Sequence, residues 1–244
     1  MALRKILVVG ATIFVAMGGS SLAIADSLYA HEPVTRPANI GYYFEGQVGY
    51  GMQDYASDVN WRSHSGVTSN NSGNVRGGFA GGIDAGYVLN HNIAVELGWL
   101  YLPVVNVAGV NASGSALPSV DLTSWVAYLA AKYMVKLPWV NNTNWFFKFG
   151  AAYRRAQVST TAIVSGTSAL PITNGSSNFV RPLFATGFSY TFADVWMAVF
   201  QYAHYMGEST AFPYNASATP PASGEMGVES ADVFTVGMGY KFFL

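Results

Sequence analysis

The 244-residue chain has no cysteine, which excludes disulfides, thiol chemistry and anchoring through a lipidated cysteine. Charged side chains are scarce, at 10% of the sequence against roughly 25% in soluble domains. Long hydrophobic runs are also missing: beyond the first 25 residues no uninterrupted apolar stretch approaches the ~20 residues of a transmembrane helix. A basic excess is absent too, with twelve Lys and Arg against thirteen Asp and Glu, so no basic stripe exists to bind nucleic acid. The four histidines, His31, His64, His91 and His204, share no metal-ligand spacing, and no metal or other cofactor is implied. Low charge without candidate helices points to a chain that crosses a membrane with strands. Its 15% aromatic content and 26 glycines agree, since such barrels carry rings at both interfaces and small residues inside.

Arg4 and Lys5 precede an apolar run from Ile6 to Met17, then small residues and Ala23-Ile24-Ala25, the pattern of a secretory signal peptide over residues 1–25. Its removal takes away two basic groups and no acidic one, leaving a mildly acidic mature chain. Residues 26–40, with Pro33 and Pro37, read as a periplasmic lead-in, and 41–244 as the membrane domain.

Successive strand side chains point to opposite faces, so a barrel wall in lipid reads as two interleaved sets. In the first segment Tyr42, Phe44, Gly46, Val48 and Tyr50 alternate with Tyr43, Glu45, Gln47 and Gly49. Ile93, Val95, Leu97, Trp99 and Tyr101 likewise alternate with Ala94, Glu96, Gly98 and Leu100. In the last segment Phe234, Val236, Met238, Tyr240 and Phe242 alternate with Thr235, Gly237, Gly239 and Lys241. The same test predicts eight strands near 42–51, 77–89, 93–102, 122–137, 144–155, 179–192, 195–206 and 232–243. Their connections run 25, 3, 19, 6, 23, 2 and 25 residues, strictly alternating long and short. An eight-stranded antiparallel transmembrane β-barrel, with short periplasmic turns and long extracellular loops, has that asymmetry. The loops are 52–76, 103–121, 156–178 and 207–231. A soluble barrel with apolar residues turned inward is disfavoured, because each strand's polar set is also its small-residue set, as a crowded lumen requires.

The stretch GGFAGGIDAGYVLNHNIAVELGWLYL, residues 77–102, resembles the second strand, tight turn and third strand of the OmpA and opacity-protein family of outer-membrane barrels. RPLFATGFSYTFADVWMAVFQYAH, residues 181–204, is similar to that family's sixth and seventh strands. TVGMGYKF, residues 235–242, resembles its terminal aromatic signature, implying that Tyr240 and Phe242 address the barrel assembly machinery. The resemblance implies the Gram-negative outer membrane, with membrane lipid and lipopolysaccharide as partners, and a non-enzymatic role. Together with loop length, it implies contact with host-surface molecules, that is, adhesion.

An eight-stranded lumen is filled by side chains, so its polar lining is the candidate site. Glu96, Lys132 and Lys148 are inward charges at similar depth, joined on the same face by Glu45, Asp84 and Gln201, with Arg154 and Arg181 higher up. The resemblance implies a plugging or gating ion pair at Glu96 and Lys132; the position of the family's lumenal arginine on strand seven is Val199 here. An ion-pair network that holds the core is one reading, and a narrow gated pore for small solutes the other. Trp99, Trp125, Trp145, Trp196, Tyr133 and Tyr190 face outward as girdle aromatics. His204 falls on the outward face near the extracellular rim. Barrel enzymes that modify lipid pair such a His with a nearby Ser, but no Ser stands two positions on.

Overall fold

A computed structural model of the protein describes residues 40–54, 61–63, 75–107, 120–158, 175–212 and 224–243. The expected signal peptide and most of the lead-in lie outside the described residues. Among the described residues there are eleven strands: β1 (Gly41–Asp54), β2 (Trp61–Ser63), β3 (Val75–Val88), β4 (Ile93–Val107), β5 (Val120–Lys136), β6 (Thr143–Val158), β7 (Ser176–Phe192), β8 (Trp196–Tyr205), β9 (Glu208–Phe212), β10 (Gly224–Val228) and β11 (Ala231–Phe243). Eight of them close an antiparallel barrel in the order β1-β11-β8-β7-β6-β5-β4-β3, and β2, β10 and β9 form a separate small sheet. The eight expected strands are the eight barrel strands.

Alternation positions every side chain. Along β6, Phe146, Lys148, Ala152, Arg154, Ala156 and Val158 are buried inward, whereas Trp145, Phe147, Phe149, Tyr153 and Arg155 are exposed outward. The turns follow local chemistry. The Asn90 side chain accepts from the backbone N–H groups of Asn92 and Ile93, both at 2.9 Å, an Asx-type reversal. Between β7 and β8, Ala193 and Asp194 take φ of 46° and 63°, the left-handed pair that a tight hairpin matched to strand twist demands.

The upper half departs from a plain barrel. Pairing of β3 with β4 stops at Gly81↔Tyr101 and of β7 with β8 at Leu183↔Tyr205. In between, β4, β5, β6 and β7 stay paired as far as Val107↔Val120, Leu122↔Val158 and Gln157↔Ser176. A proline stands at each parting, Pro103 on β4 beside a bulge and Pro182 on β7. Proline has no N–H to continue a ladder and belongs at an edge or bulge. The inward side chains of the tall strands, Val105, Leu122, Ala156 and Val158, pack with Ala211 and Phe212 of β9 and Val228 of β10, with Phe179 against them. A second sheet thus closes over the mouth.

The expected loops are corrected accordingly. Of 103–121 and 156–178, the outer residues continue the ladder; of 52–76 and 207–231, parts form β2, β9 and β10. The stretches 55–60, 64–74, 108–119, 159–174 and 213–223 lie outside the described residues. The ladder continues because pairing needs no lipid: above the apolar belt the outward positions turn polar (Asp121, Thr123, Arg155, Gln157) while the inward ones stay buried, with Leu122, Ala156 and Val158 apolar and Ser124 and Arg154 paired to each other.

Candidate functional site

The barrel closes around a buried polar centre assembled from four adjacent strands. Lys132 on β5 lies directly opposite Lys148 on β6, a like-charge pair that is unfavourable by itself. Glu96 on β4 resolves it. Lys132 Nζ is 3.2 Å from Glu96 Oε2, and Lys148 Nζ donates to Glu96 Oε1. Lys148 also lies 3.7 Å from Asp84 Oδ2 on β3. Two carboxylates therefore meet two ammonium groups, all four buried.

Neutral donors satisfy the remaining lone pairs. Tyr43 OH donates to Glu96 Oε2 at 2.5 Å, and Tyr128 OH stands 2.6 Å from Asp84 Oδ1 and 3.1 Å from Glu96 Oε1. Gln47 donates to Asp84 Oδ2 at 2.8 Å and accepts from Thr235 at 2.8 Å. Both lysines also lie near the Phe146 ring, 4.5 and 5.3 Å from its centroid, a cation–π arrangement. Space comes from glycine: a Cβ at Gly86 would strike the Tyr43 ring, and one at Gly98 would strike both Asp84 and the Tyr128 ring.

Above this centre lies an apolar layer that includes Leu100, Leu102, Val126, Leu183, Tyr205 and Val233. Over it sits a second polar layer. Arg154, 1% exposed, donates to Gln53 Oε1 at 2.5 Å, to Ser124 Oγ at 3.2 Å and to the Glu229 backbone carbonyl at 2.6 Å. The last of these bonds ties the segment after β10 to the wall.

Of the residues singled out by sequence, Glu96, Lys132, Lys148 and Asp84 come together in one network. Glu45 and Gln201 are buried on the same inward face, but each has a side-chain oxygen with no hydrogen-bond partner, and Thr235, the neighbour of Gln201, bonds to Gln47 instead. Val199 is inward and buried. Arg181, expected inside the lumen, is 44% exposed and pairs with Glu208 of β9: β8 has ended at Tyr205, so no wall stands opposite to enclose it.

Trp99, Trp125, Trp145, Trp196, Tyr133 and Tyr190 all lie on the outward face. Trp145 stacks on Phe188 at 6.2 Å and donates to Thr186 Oγ1 at 2.9 Å; Trp196 meets Tyr240 at 5.1 Å. Tyr240 and Phe242 are outward on β11, opposite Phe44 and Tyr42 of β1. His204 is outward as expected, but it is not a solitary ring. Its Nδ1 is 2.8 Å from Asp232 Oδ1, which also accepts from Tyr202 OH at 2.6 Å.

Sequence reasoning missed the hydroxyl and amide partners Tyr43, Tyr128, Gln47 and Thr235 as network members, although alternation alone puts Tyr43, Gln47 and Thr235 on the inward face. It also missed Asp232, whose outward position opposite His204 follows only from the β8–β11 register.

A closed antiparallel wall with rings and aliphatic side chains outside and charges buried within has the polarity of a membrane-spanning barrel. The chain matches the outer membrane protein beta-barrel domain over residues 13–242. It belongs to that family and resides in the Gram-negative outer membrane. Among solved structures it is similar to the outer membrane protein OprG from Pseudomonas aeruginosa, with 14% identity, 85% of this chain and 99% of that one covered, and a TM-score of 0.51. Neisserial surface protein A is similar at 15% identity, 83% and 97% coverage and a TM-score of 0.49. An uncharacterized protein from Coxiella burnetii (strain RSA 493 / Nine Mile phase I) is 32% identical over 120 residues, 48% of this chain and 47% of that protein. The chain thus spans about half the length of the curated relative it matches.

Proposed function

We propose that the protein is a non-conducting outer-membrane barrel that stabilises the envelope and makes contacts through its extracellular face. The observation that carries this reading is the stacking of the lumen: the Glu96 network, the apolar layer, the Arg154 layer and the buried Phe212 and Val228 of the β9–β10 cap succeed one another along the axis. A pore for small solutes would need a wet path through all four. In this reading Glu96, Lys132, Lys148 and Asp84 are a structural plug, the outward rings are interfacial anchors, and Tyr240 and Phe242 are the signal read during barrel assembly. No catalytic step is part of it.

The extracellular contacts, host-surface molecules among them, are assigned to the tall β4–β7 wall and the connections above it. Purified protein in planar bilayers tests the closed lumen: no stable conductance steps are expected, and reproducible unitary steps would overturn the reading. Shortening the connections within 159–174 and 213–223 should reduce bacterial attachment to host cells while leaving the barrel folded. Undiminished attachment would remove the adhesive part.

A further inference from the structure

The cross-strand register aligns outward residues in two neighbouring rows. One runs Ala131, Phe149, Phe184, His204, Asp232 across β5, β6, β7, β8 and β11. The other runs Ile93, Tyr133, Phe147, Thr186, Tyr202 across β4 to β8. Between them, from Ile93 as far as Phe184 and Tyr202, lies an open groove of about 670 Å³ with an almost wholly apolar lining, and His204 and Asp232 continue the first row beyond it. Rings wall it, and the short side chains of Ala131 and Thr186 leave its floor low; the Thr186 hydroxyl is already engaged with the Phe146 carbonyl at 3.0 Å and the Trp145 indole. Four inter-strand steps of ~4.8 Å give a length of about 19 Å, comparable with one leaflet's share, ~15 Å, of a ~30 Å hydrocarbon core.

Strand tilt makes the groove climb. Ile93 opens β4 at the periplasmic end, whereas His204 stands eight residues up β8 from Trp196, and Asp232 eleven residues from the end of β11. The upper end therefore reaches the outer edge of an apolar band about 25 Å tall. There Tyr202, which also lines the groove, donates to Asp232, and His204 shares the same oxygen. Both outside donors spend themselves on Oδ1. The second carboxylate oxygen and the second ring nitrogen of His204 are left, with the side chains 41% and 33% exposed. The residues in register around the pair, Phe184, Met52 and Phe234, are all uncharged.

We propose that this groove is a specific site for one outer-leaflet amphiphile, its acyl chain lying between the two ring rows and an ammonium-bearing headgroup donating to Asp232 and His204. Among the described residues no lysine or arginine stands in register with this carboxylate, and a carboxylate set beside an apolar track complements a positively charged hydrogen-bond donor; an anionic phosphate would meet the carboxylate's repulsion. This site goes beyond the closed-lumen reading and does not depend on it.

The test is native mass spectrometry of the folded, detergent-purified full chain with phosphatidylethanolamine and phosphatidylcholine of identical acyl chains. Both headgroups carry a cation, but only the first can donate. The wild type should retain phosphatidylethanolamine about tenfold better, the size of one charge-assisted hydrogen bond. Asp232→Asn should bring the ratio to near unity, and Ala131→Trp, which fills the groove, should lower retention of both lipids. His204→Phe serves as the second headgroup variant should Asp232→Asn not fold, with folding judged by heat-modifiable migration. Equal retention of the two lipids by the wild type, an unchanged ratio in the headgroup variant, or unchanged retention in Ala131→Trp would each overturn the proposal.

Discussion

At the scale of single residues, the burial of Glu96 decides the most. It stands between two lysines that face each other across β5 and β6, and removal of its charge would strip buried Lys132 of the carboxylate it pairs with and leave Lys148 only Asp84, at 3.7 Å. Breaking one partner of a buried ion pair costs about 3–5 kcal/mol. Glu96→Gln should lose stability on that order in urea titrations of the barrel in lipid vesicles, whereas Leu97→Val, one residue along and facing lipid, should stay within about 0.5 kcal/mol. Equal effects at the two positions would mean the network does not hold the core. The glycines beneath the tyrosines give a second expectation. Gly98→Ala should cost about 1–3 kcal/mol, the usual range for overpacking, because Tyr128 must move off its bond to Asp84. Gly46→Ala, where a Cβ meets nothing within 4 Å, should be close to neutral in the same titration.

At the scale of elements, the cap is the feature with a separable stability. β9 and β10 are joined to the wall by the apolar contacts of Phe212 and Val228, by Arg154 holding the Glu229 carbonyl, and by the Arg181–Glu208 pair. Burial alone would raise the Glu208 carboxyl, but hydrogen bonds from Arg181 and Thr210 outweigh it and hold the pKa below the usual carboxylate range. A depressed native pKa contributes stability above the unfolded-state value and loses it as pH falls through the folded one. Hydrogen exchange in 208–212 and 224–228, taken relative to the intrinsic rate of an unprotected amide at each pH, should therefore quicken as the medium is acidified through and below the ordinary glutamate range. Arg154→Met should quicken it at neutral pH as well, while β4–β6 stay protected. Exchange that rises in step across cap and barrel would contradict a cap of its own stability.

The cap was also the part least legible in the sequence. Barrel strands are long enough for alternation to speak, so Glu96 and Leu97 sort to opposite faces by inspection. Glu208–Phe212 and Gly224–Val228 are five residues each, too short for a period, and they pair across a gap in sequence that no local pattern reports. The same limit explains Asp232 and His204. Alternation places His204 on its face but does not single out Asp232, and their contact depends on a β8–β11 register that only the closed barrel fixes. Arg181 shows the converse: its parity was read correctly, yet parity decides burial only where a wall exists on the other side.

For the molecule as a whole, a polarity opposite to that of a soluble domain explains the fold. Phe44, Ile83, Leu97, Phe149 and Met238 are all more than half exposed, an arrangement that water would penalise and acyl chains favour, while charge is withdrawn to a neutral, hydrogen-bonded centre. That inversion is the polarity expected of the outer-membrane barrel family to which the chain belongs. Because the chain has no native cysteine, single cysteines can be introduced at each position from Ile93 to Tyr101 and spin-labelled in lipid vesicles without background. Collision rates with oxygen, which concentrates in the bilayer core, should alternate with a period of two and peak at Val95, Leu97 and Trp99. A flat profile, or peaks at Ala94, Glu96 and Gly98, would contradict the account.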